Sequence, residues 1–297
     1  MLKRTIDISE GPAFLRVENR QLVIEKNREV AGMIPCEDIG MLIVASRAVT
    51  MTTAVAEALC EAGSVVVFCG CDNMPSGMLL PLEGHHLPQE RLNLQIGAKL
   101  PAKKRMWASI VSEKLRRQAR NLPDDHVAAR QILALVKKIR SGDPENVEGQ
   151  ASRAYWPAFL GGDFRRDPKG LPPNNLLNYG YAILRAATAR AIVTTGLHPG
   201  FGLHHHNRAN AFCLADDLME PFRPWVDEIA RQLYVEGWTH VTKPVKAAML
   251  GLLSQTVYQE DQSSPLTIAL QRFAFSYVSI LAGKEDALII PDWKYRP

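Results

Sequence analysis

Pro81-Leu82-Glu83-Gly84-His85-His86-Leu87-Pro88 divides the chain. Two prolines and a glycine in eight residues interrupt strands and helices alike. The sequence changes character on either side of this linker. Before it, Thr5-Ile6-Asp7-Ile8, Ala13-Phe14-Leu15-Arg16-Val17 and Gln21-Leu22-Val23-Ile24 are β-type runs, and Glu18-Asn19-Arg20 makes a hairpin of the last two. Met41-Leu42-Ile43-Val44 and Ser64-Val65-Val66-Val67-Phe68 are continuously apolar, as in strands buried on both faces. Between them, Thr52 or Thr53 is placed to cap a helix with Val55, Leu59 and Ala62 on one side. After the linker the β pattern gives way to helical periodicity over residues 89–98, 103–121, 127–141, 147–159, 176–195, 217–236 and 265–282. A short strand at Ala287-Leu288-Ile289-Ile290-Pro291 precedes a tail with Lys294 and Arg296. The expected fold is α+β, with a small strand-rich N-terminal domain over 1–87 and a larger all-α C-terminal domain over 88–297.

With 46% apolar and 22% charged residues, the 297-residue chain has the composition of a globular protein. The formal charge is only +4, but it is unevenly placed. Residues 99–140 hold twelve Lys and Arg against three acids, a surplus of nine that leaves the remainder at −5. Such asymmetry suits a polyanion binder. The basic helix over 103–120 carries Lys103, Lys114, Arg117 and Arg120 around much of its circumference. It reads equally as a solvated face or as a track for phosphates, which needs charge but no particular spacing. The odd number of cysteines (Cys36, Cys60, Cys69, Cys71 and Cys213) has no framework spacing. Together with a polar start and no membrane-length apolar run, it points to a reducing, cytoplasmic compartment.

Chemistry-bearing residues concentrate in residues 197–224, LHPGFGLHHHNRANAFCLADDLMEPFRP, which bring His204, His205, His206, Asp217 and Glu220 into one stretch. Imidazole and carboxylate groups bind divalent metals, and Asp217 and Glu220 share a helix face. Structural readings stand beside this. Asp217-Leu218-Met219-Glu220 fits a capping box, and three histidines can be a polar loop. Glu145 and Glu148 suit the positive end of the helix they open, although Gly149 costs that helix stability. Cys69-Gly70-Cys71 reads better as a buried strand end than as a metal pair. No P-loop, dinucleotide fingerprint or Gly-x-Ser-x-Gly elbow is present.

In order along the chain, several motifs resemble one family. Ile34-Pro35-Cys36-Glu37-Asp38-Ile39-Gly40, Asn73-Met74-Pro75-Ser76-Gly77-Met78-Leu79-Leu80-Pro81, Val147-Glu148-Gly149-Gln150-Ala151 with Tyr155-Trp156, Asn175-Leu176-Leu177-Asn178-Tyr179-Gly180-Tyr181, Leu197-His198-Pro199-Gly200-Phe201-Gly202 and Asp217-Leu218-Met219-Glu220-Pro221-Phe222-Arg223-Pro224 are similar to the CRISPR-associated adaptation integrase, the endonuclease-like subunit that inserts spacers. The details are closest to variants from single-effector, type II-like systems. The resemblance implies a metal site of Glu148, His205 and Glu220, with His205 fixed by counting seven residues back from Phe212 between His204 and His206. Asp217 falls on a supporting acidic position. Lys103, Lys104, Arg105, Arg116, Arg117 and Arg120 become the candidate nucleic-acid contacts. The implied cofactor is Mg²⁺ or Mn²⁺, and the implied reaction joins prespacer 3′-hydroxyls into the CRISPR repeat by transesterification. Implied partners are double-stranded DNA (prespacer and repeat), a second copy of the chain in a homodimer formed through the strand-rich domain, a small ferredoxin-like adaptation subunit and an RNA-guided effector nuclease, with no membrane. The same residues also fit a stand-alone metal nuclease for branched DNA, or a DNA-binding scaffold whose acids are caps.

Overall fold

The computed structural model describes residues 3–82 and 84–293; the expected tail residues Lys294 and Arg296, and Glu83 of the linker, lie outside them. The N-terminal half contains β1 (Arg4–Ile8), β2 (Ala13–Glu18), β3 (Gln21–Lys26), β4 (Glu29–Pro35), β5 (Ile39–Val44), β6 (Val49–Met51), α1 (Thr53–Glu61), β7 (Val65–Cys69) and β8 (Pro75–Leu79). One sheet has the order β4-β3-β2-β6 and the other β1-β5-β7-β8. The β2–β3 turn places Asn19 and Arg20 at φ 49° and 61°, and the β3–β4 turn places Asn27 and Arg28 at 53° and 66°. Two adjacent left-handed residues match the twist of a two-residue hairpin. Strand β4 escapes sequence reading because it is a mostly exposed edge with no consistently buried face.

The apolar runs explain the second sheet. β5 is parallel to β1 and β7, with Leu42 opposite Ile6 and Val66. Leu42, Val44 and Val66 face a small core with Leu15, Leu22, Val55 and Leu59. Met41, Ile43, Val65 and Val67 point the other way, into the helical core. The sheet is therefore shared by both halves of the chain, and its central strands β5 and β7 are apolar on both faces.

The second half comprises α2 (Pro88–Ile96), α3 (Leu100–Arg120), α4 (Val127–Val136), α5 (Val147–Leu160), α6 (Asn174–Thr194), α7 (Cys213–Met219), a 3₁₀ turn at Glu220–Phe222, α8 (Arg223–Val235), α9 (Lys243–Ser254), β9 (Thr256–Gln259), β10 (Gln262–Pro265) and α10 (Leu266–Leu281). Helix α6 is buried around most of its circumference, so neighbours pack on it from several sides. A Cβ at Gly180 would lie 2.4 Å from Val226 Cγ1 and 2.9 Å from Met249 Sδ, which is why α8 and α9 can approach there.

Four details differ from the sequence reading, the first being α9, which lies where no helix is expected. The helical half carries the β9–β10 hairpin, whose β-type Thr256-Val257-Tyr258 turns back through Glu260 at φ 53°. Ala287 to Pro291 form no strand; Asp292 makes an isolated bridge to Tyr258 instead. The helix expected over 217–236 begins at Cys213 and breaks at Glu220, where Pro221 enters a 3₁₀ turn before α8. Asp217 is thus inside α7 and does not cap its start. No helix among the described residues is long and apolar enough to cross a membrane, and all five cysteines are unpaired.

Candidate active site

Helix α5 starts under caps that leave Glu148 free. Asp143 accepts from the N–H groups of Val147 (2.9 Å) and Glu148 (3.0 Å), and Asn146 Oδ1 accepts from Gly149 N–H at 3.0 Å. A Cβ at Gly149 would come within 2.7 Å of the Asn146 side chain, so this glycine serves the cap. Glu145 pairs with Arg140 at the surface. The capping account therefore covers Asp143 and Asn146 but not the Glu148 carboxylate, which accepts from Lys114 Nζ at 2.5 Å.

The histidine loop is held at several points. At its start, Gln95 of α2 is fully buried, donates to the carbonyls of His198 and Phe201 at 2.9 and 3.0 Å, and accepts from His198 N–H. At its end, Asp216 accepts from Asn210 of the loop and pairs with Arg185 of α6 at 2.6 Å. Asp217 holds the middle. Its fully buried carboxylate accepts backbone N–H groups from Leu203 (2.6 Å), His204 (3.0 Å) and His205 (3.3 Å), and lies 2.5 Å from His205 Nδ1. Gly202 makes this wrap possible, since a Cβ there would lie 2.4 Å from the His205 carbonyl and 2.8 Å from Asp217 Oδ2.

The three histidines now separate. His204 stacks on the buried indole of Trp107 at 4.3 Å with the rings nearly parallel. His206 is exposed. His205 has Nδ1 fixed by Asp217 and its edge against Trp107, which leaves Nε2 as the ring nitrogen for a ligand. The bond to Asp217 raises the His205 pKa despite burial, whereas burial and the neighbouring His205 lower that of His204.

Glu220, at the 3₁₀ turn, is 3% exposed. Its carboxylate lies 2.5 Å from Lys114 Nζ and 3.0 Å from Arg223 Nε. Burial pushes its pKa up, but Arg223 and Lys114 outweigh burial and leave it below the usual carboxylate range. Lys114 is likewise desolvated, yet Glu220 and Glu148 hold its pKa above the ordinary lysine value. One ammonium thus bridges both carboxylates. Among the described residues no three His, Cys, Asp or Glu side chains converge as a ready-made metal cage. The donor chemistry nonetheless fits a hard divalent cation: two carboxylates already gather round a positive charge, and the buried Glu220 Oε2 has no well-aligned hydrogen bond. Lys114 was legible in the sequence only as one more basic residue. The missed signal was its place on the apolar stripe of α3 with Trp107, Ile110, Val111 and Leu115.

A cavity of about 710 Å³ opens beside Lys114 and Glu148. Arg153, Arg165 and Arg166 line it along with Trp156, Tyr181 and Asp227. Asp227 is buried between two tyrosine hydroxyls, Tyr155 donating at 3.1 Å and Tyr181 on the other oxygen. Burial raises its pKa to about 7, against the pull of both hydroxyls. Tyr155 is fully buried and Arg223 is spent partly on Glu220.

The candidate nucleic-acid residues do not form one surface. Lys104, Arg105 and Arg116 are exposed, and Lys103 is half-buried. Arg120 pairs with Asp292 at 3.0 Å. Arg117 corrects the sequence reading: it is 1% exposed, donates to the carbonyls of Pro221 and Pro291, pairs with Glu113 and lies over Trp225. It faces inward because its position on α3 is directed at the 3₁₀ turn.

Comparison with known proteins places the chain in a family. The family described as CRISPR associated protein Cas1 matches residues 7–256. The chain belongs to the Cas1 family. The CRISPR-associated endonuclease Cas1 of Neisseria meningitidis serogroup C (strain 8013) is 34% identical over 288 residues, covering 96% of this chain and 94% of the relative. That of Francisella tularensis subsp. novicida (strain U112) is 28% identical, covering 93% and 94%. The same fold occurs in a casposase bound to integration product, with a TM-score of 0.77 and 20% identity over 97% of this chain and 92% of that one. It occurs also in a Cas1 protein from Thermotoga maritima, with a TM-score of 0.73 and 18% identity over 96% and 99%.

Proposed function

We propose that the chain is a divalent-metal-dependent DNA integrase and endonuclease of CRISPR adaptation, joining prespacer 3′-hydroxyls into the repeat by transesterification. The observation that carries this reading is the convergence of Glu148 and Glu220 on one cationic position, beside a histidine fixed by a buried aspartate. Glu148, Glu220 and His205 Nε2 would hold Mg²⁺ or Mn²⁺, with the carboxylates suiting either and the imidazole favouring Mn²⁺. An ion held there would supply activation of the attacking hydroxyl and neutralisation of charge at the phosphate. Asp217 orients the imidazole and fixes its tautomer. Arg223 holds Glu220 in place, and the exposed Lys104, Arg105 and Arg116 offer charge to the DNA backbone. The likeness to a casposase captured with its integration product supports joining as the outcome, and endonuclease relatives support the phosphoryl-transfer class. A solved Cas1–DNA complex and a Cas6-RT-Cas1–Cas2 complex among the similar structures support DNA and a small adaptation subunit as partners. Homodimerisation through the strand-rich half and contact with an effector nuclease belong to the same reading.

The test is a joining assay with a short duplex bearing free 3′-hydroxyls, a supercoiled repeat plasmid, the partner subunit and Mn²⁺. Wild type should give covalent products, and Glu148→Ala should give none while still binding DNA. Cleavage without joining would favour a stand-alone nuclease. Bound DNA with no metal-dependent product from wild type would favour a scaffold.

A further inference from the structure

We infer that Lys114 is a built-in counter-ion, occupying the cation position of the metal-free site and leaving it when a divalent ion enters. The inference rests on the reading of Glu148 and Glu220 as metal ligands. Lys114 lies within α3 among Val111, Leu115 and Trp107, where an apolar side chain would pack without desolvating a charge. Its ammonium sits 2.5 Å from Glu148 Oε1 and 2.5 Å from Glu220 Oε2. With Arg223 on Glu220, two carboxylates already face two cationic groups. The site is charge-balanced as it stands. A divalent ion added beside an unmoved ammonium would leave two surplus positive charges in a buried space, where repulsion is strong. The lysine has somewhere to go: its side chain lines the 710 Å³ cavity beside Glu148, and its flexible four-carbon stem allows the head to swing there. Until then it keeps the two glutamates, which come from α5 and the 3₁₀ turn, close together without metal.

The inference has two consequences that a purely structural lysine would not share. The first is competition. In metal-stripped full-length protein, Lys114→Met should bind Mn²⁺ at least about ten-fold more tightly than wild type by calorimetry. Its metal-free melting temperature should fall and its Mn²⁺-induced rise should widen, because the carboxylates then lack a counter-ion. Lys114→Arg, which keeps the charge, should bind Mn²⁺ no more tightly than wild type. The second concerns the unmodified chain and does not depend on a variant folding. Lys114 should be protected from an amine-reactive reagent without metal and become labelled at saturating Mn²⁺, while exposed Lys104 is labelled equally in both. Unchanged or weaker Mn²⁺ binding by Lys114→Met, or continued protection of Lys114 at saturating Mn²⁺, overturns the inference. Glu148→Gln separates its failure from that of the underlying site: if Glu148→Gln loses Mn²⁺ while Lys114→Met is unchanged, only the lysine inference falls. Equal Mn²⁺ binding by wild type and Glu148→Gln removes the metal-site reading and this inference with it.

Discussion

Replacing Asp217 by alanine is the sharpest perturbation of the histidine loop. One fully buried carboxylate receives three backbone N–H groups and the His205 ring. Bonds to a charged group contribute roughly 1.5–3 kcal/mol each, so simple addition over four contacts would reach about 6–12 kcal/mol, comparable with the stability of a whole domain. That sum is not the expected loss. The His205 side chain is 43% exposed and the loop is at the surface, so a released loop can open and rehydrate most of these groups. The buried Leu203 N–H is the group least able to find water, and it alone costs about 1–3 kcal/mol. The fold should therefore survive with a modest loss in urea denaturation. Function should suffer more. Losing the partner that fixes a metal-binding imidazole typically costs about 10–100-fold in metal affinity. Asp217→Asn keeps the volume but not the charge, so it should lose affinity with a smaller change in stability. Under it the His205 pKa should move down toward its ordinary value by NMR titration, since the bond to Asp217 is what raises it. A folded Asp217→Ala protein with Mn²⁺ affinity within about two-fold of wild type would refute the argument.

Three further outcomes follow from other sites. Arg117→Ala should destabilise the chain by about 2–6 kcal/mol in urea by leaving the Pro221 and Pro291 carbonyls without their buried donor; Arg105→Glu and Arg116→Glu should leave stability within about 0.5 kcal/mol but reduce the salt slope of DNA binding, and the opposite pattern would restore Arg117 to the DNA surface. Asp227 has its folded pKa raised to about 7 from the ordinary 3.8, so the fold favours the neutral acid and loses stability as pH rises between those values, by at most on the order of 4 kcal/mol. Asp227→Asn should flatten the melting temperature between pH 5 and 8 relative to wild type, and parallel profiles would count against a buried neutral acid. Gly202→Ala should displace the loop, because the His205 carbonyl and Asp217 leave no room for a methyl group; unchanged Mn²⁺ affinity would show that the loop tolerates the shift.

How much of this was legible in the sequence depended on whether the signal was local. The buried strands β5 and β7 announced themselves as apolar runs, and α6 as a long helix, because burial on every side leaves a pattern in consecutive residues. Strand β4 did not, being largely exposed, and nor did the β9–β10 hairpin, whose strands are only four residues each. Helix α9 was also missed, although it carried a signal, with Pro244 in its first turn and Val245, Met249 and Leu252 on one face. At the site, motif position led to Glu148, His205, Asp217 and Glu220, but it could not say which histidine nitrogen is free or what keeps the acids together. Those depend on partners far along the chain: Trp107 takes His204, Asp217 takes Nδ1 of His205, and Lys114 takes both glutamates. The two misread basic residues teach the same lesson. Lys114 and Arg117 look like their neighbours on a charged helix, yet both point inward, toward the 3₁₀ turn that carries Glu220. On α3 the direction of a side chain, rather than its charge, separates residues that organise the candidate site from those free to meet DNA.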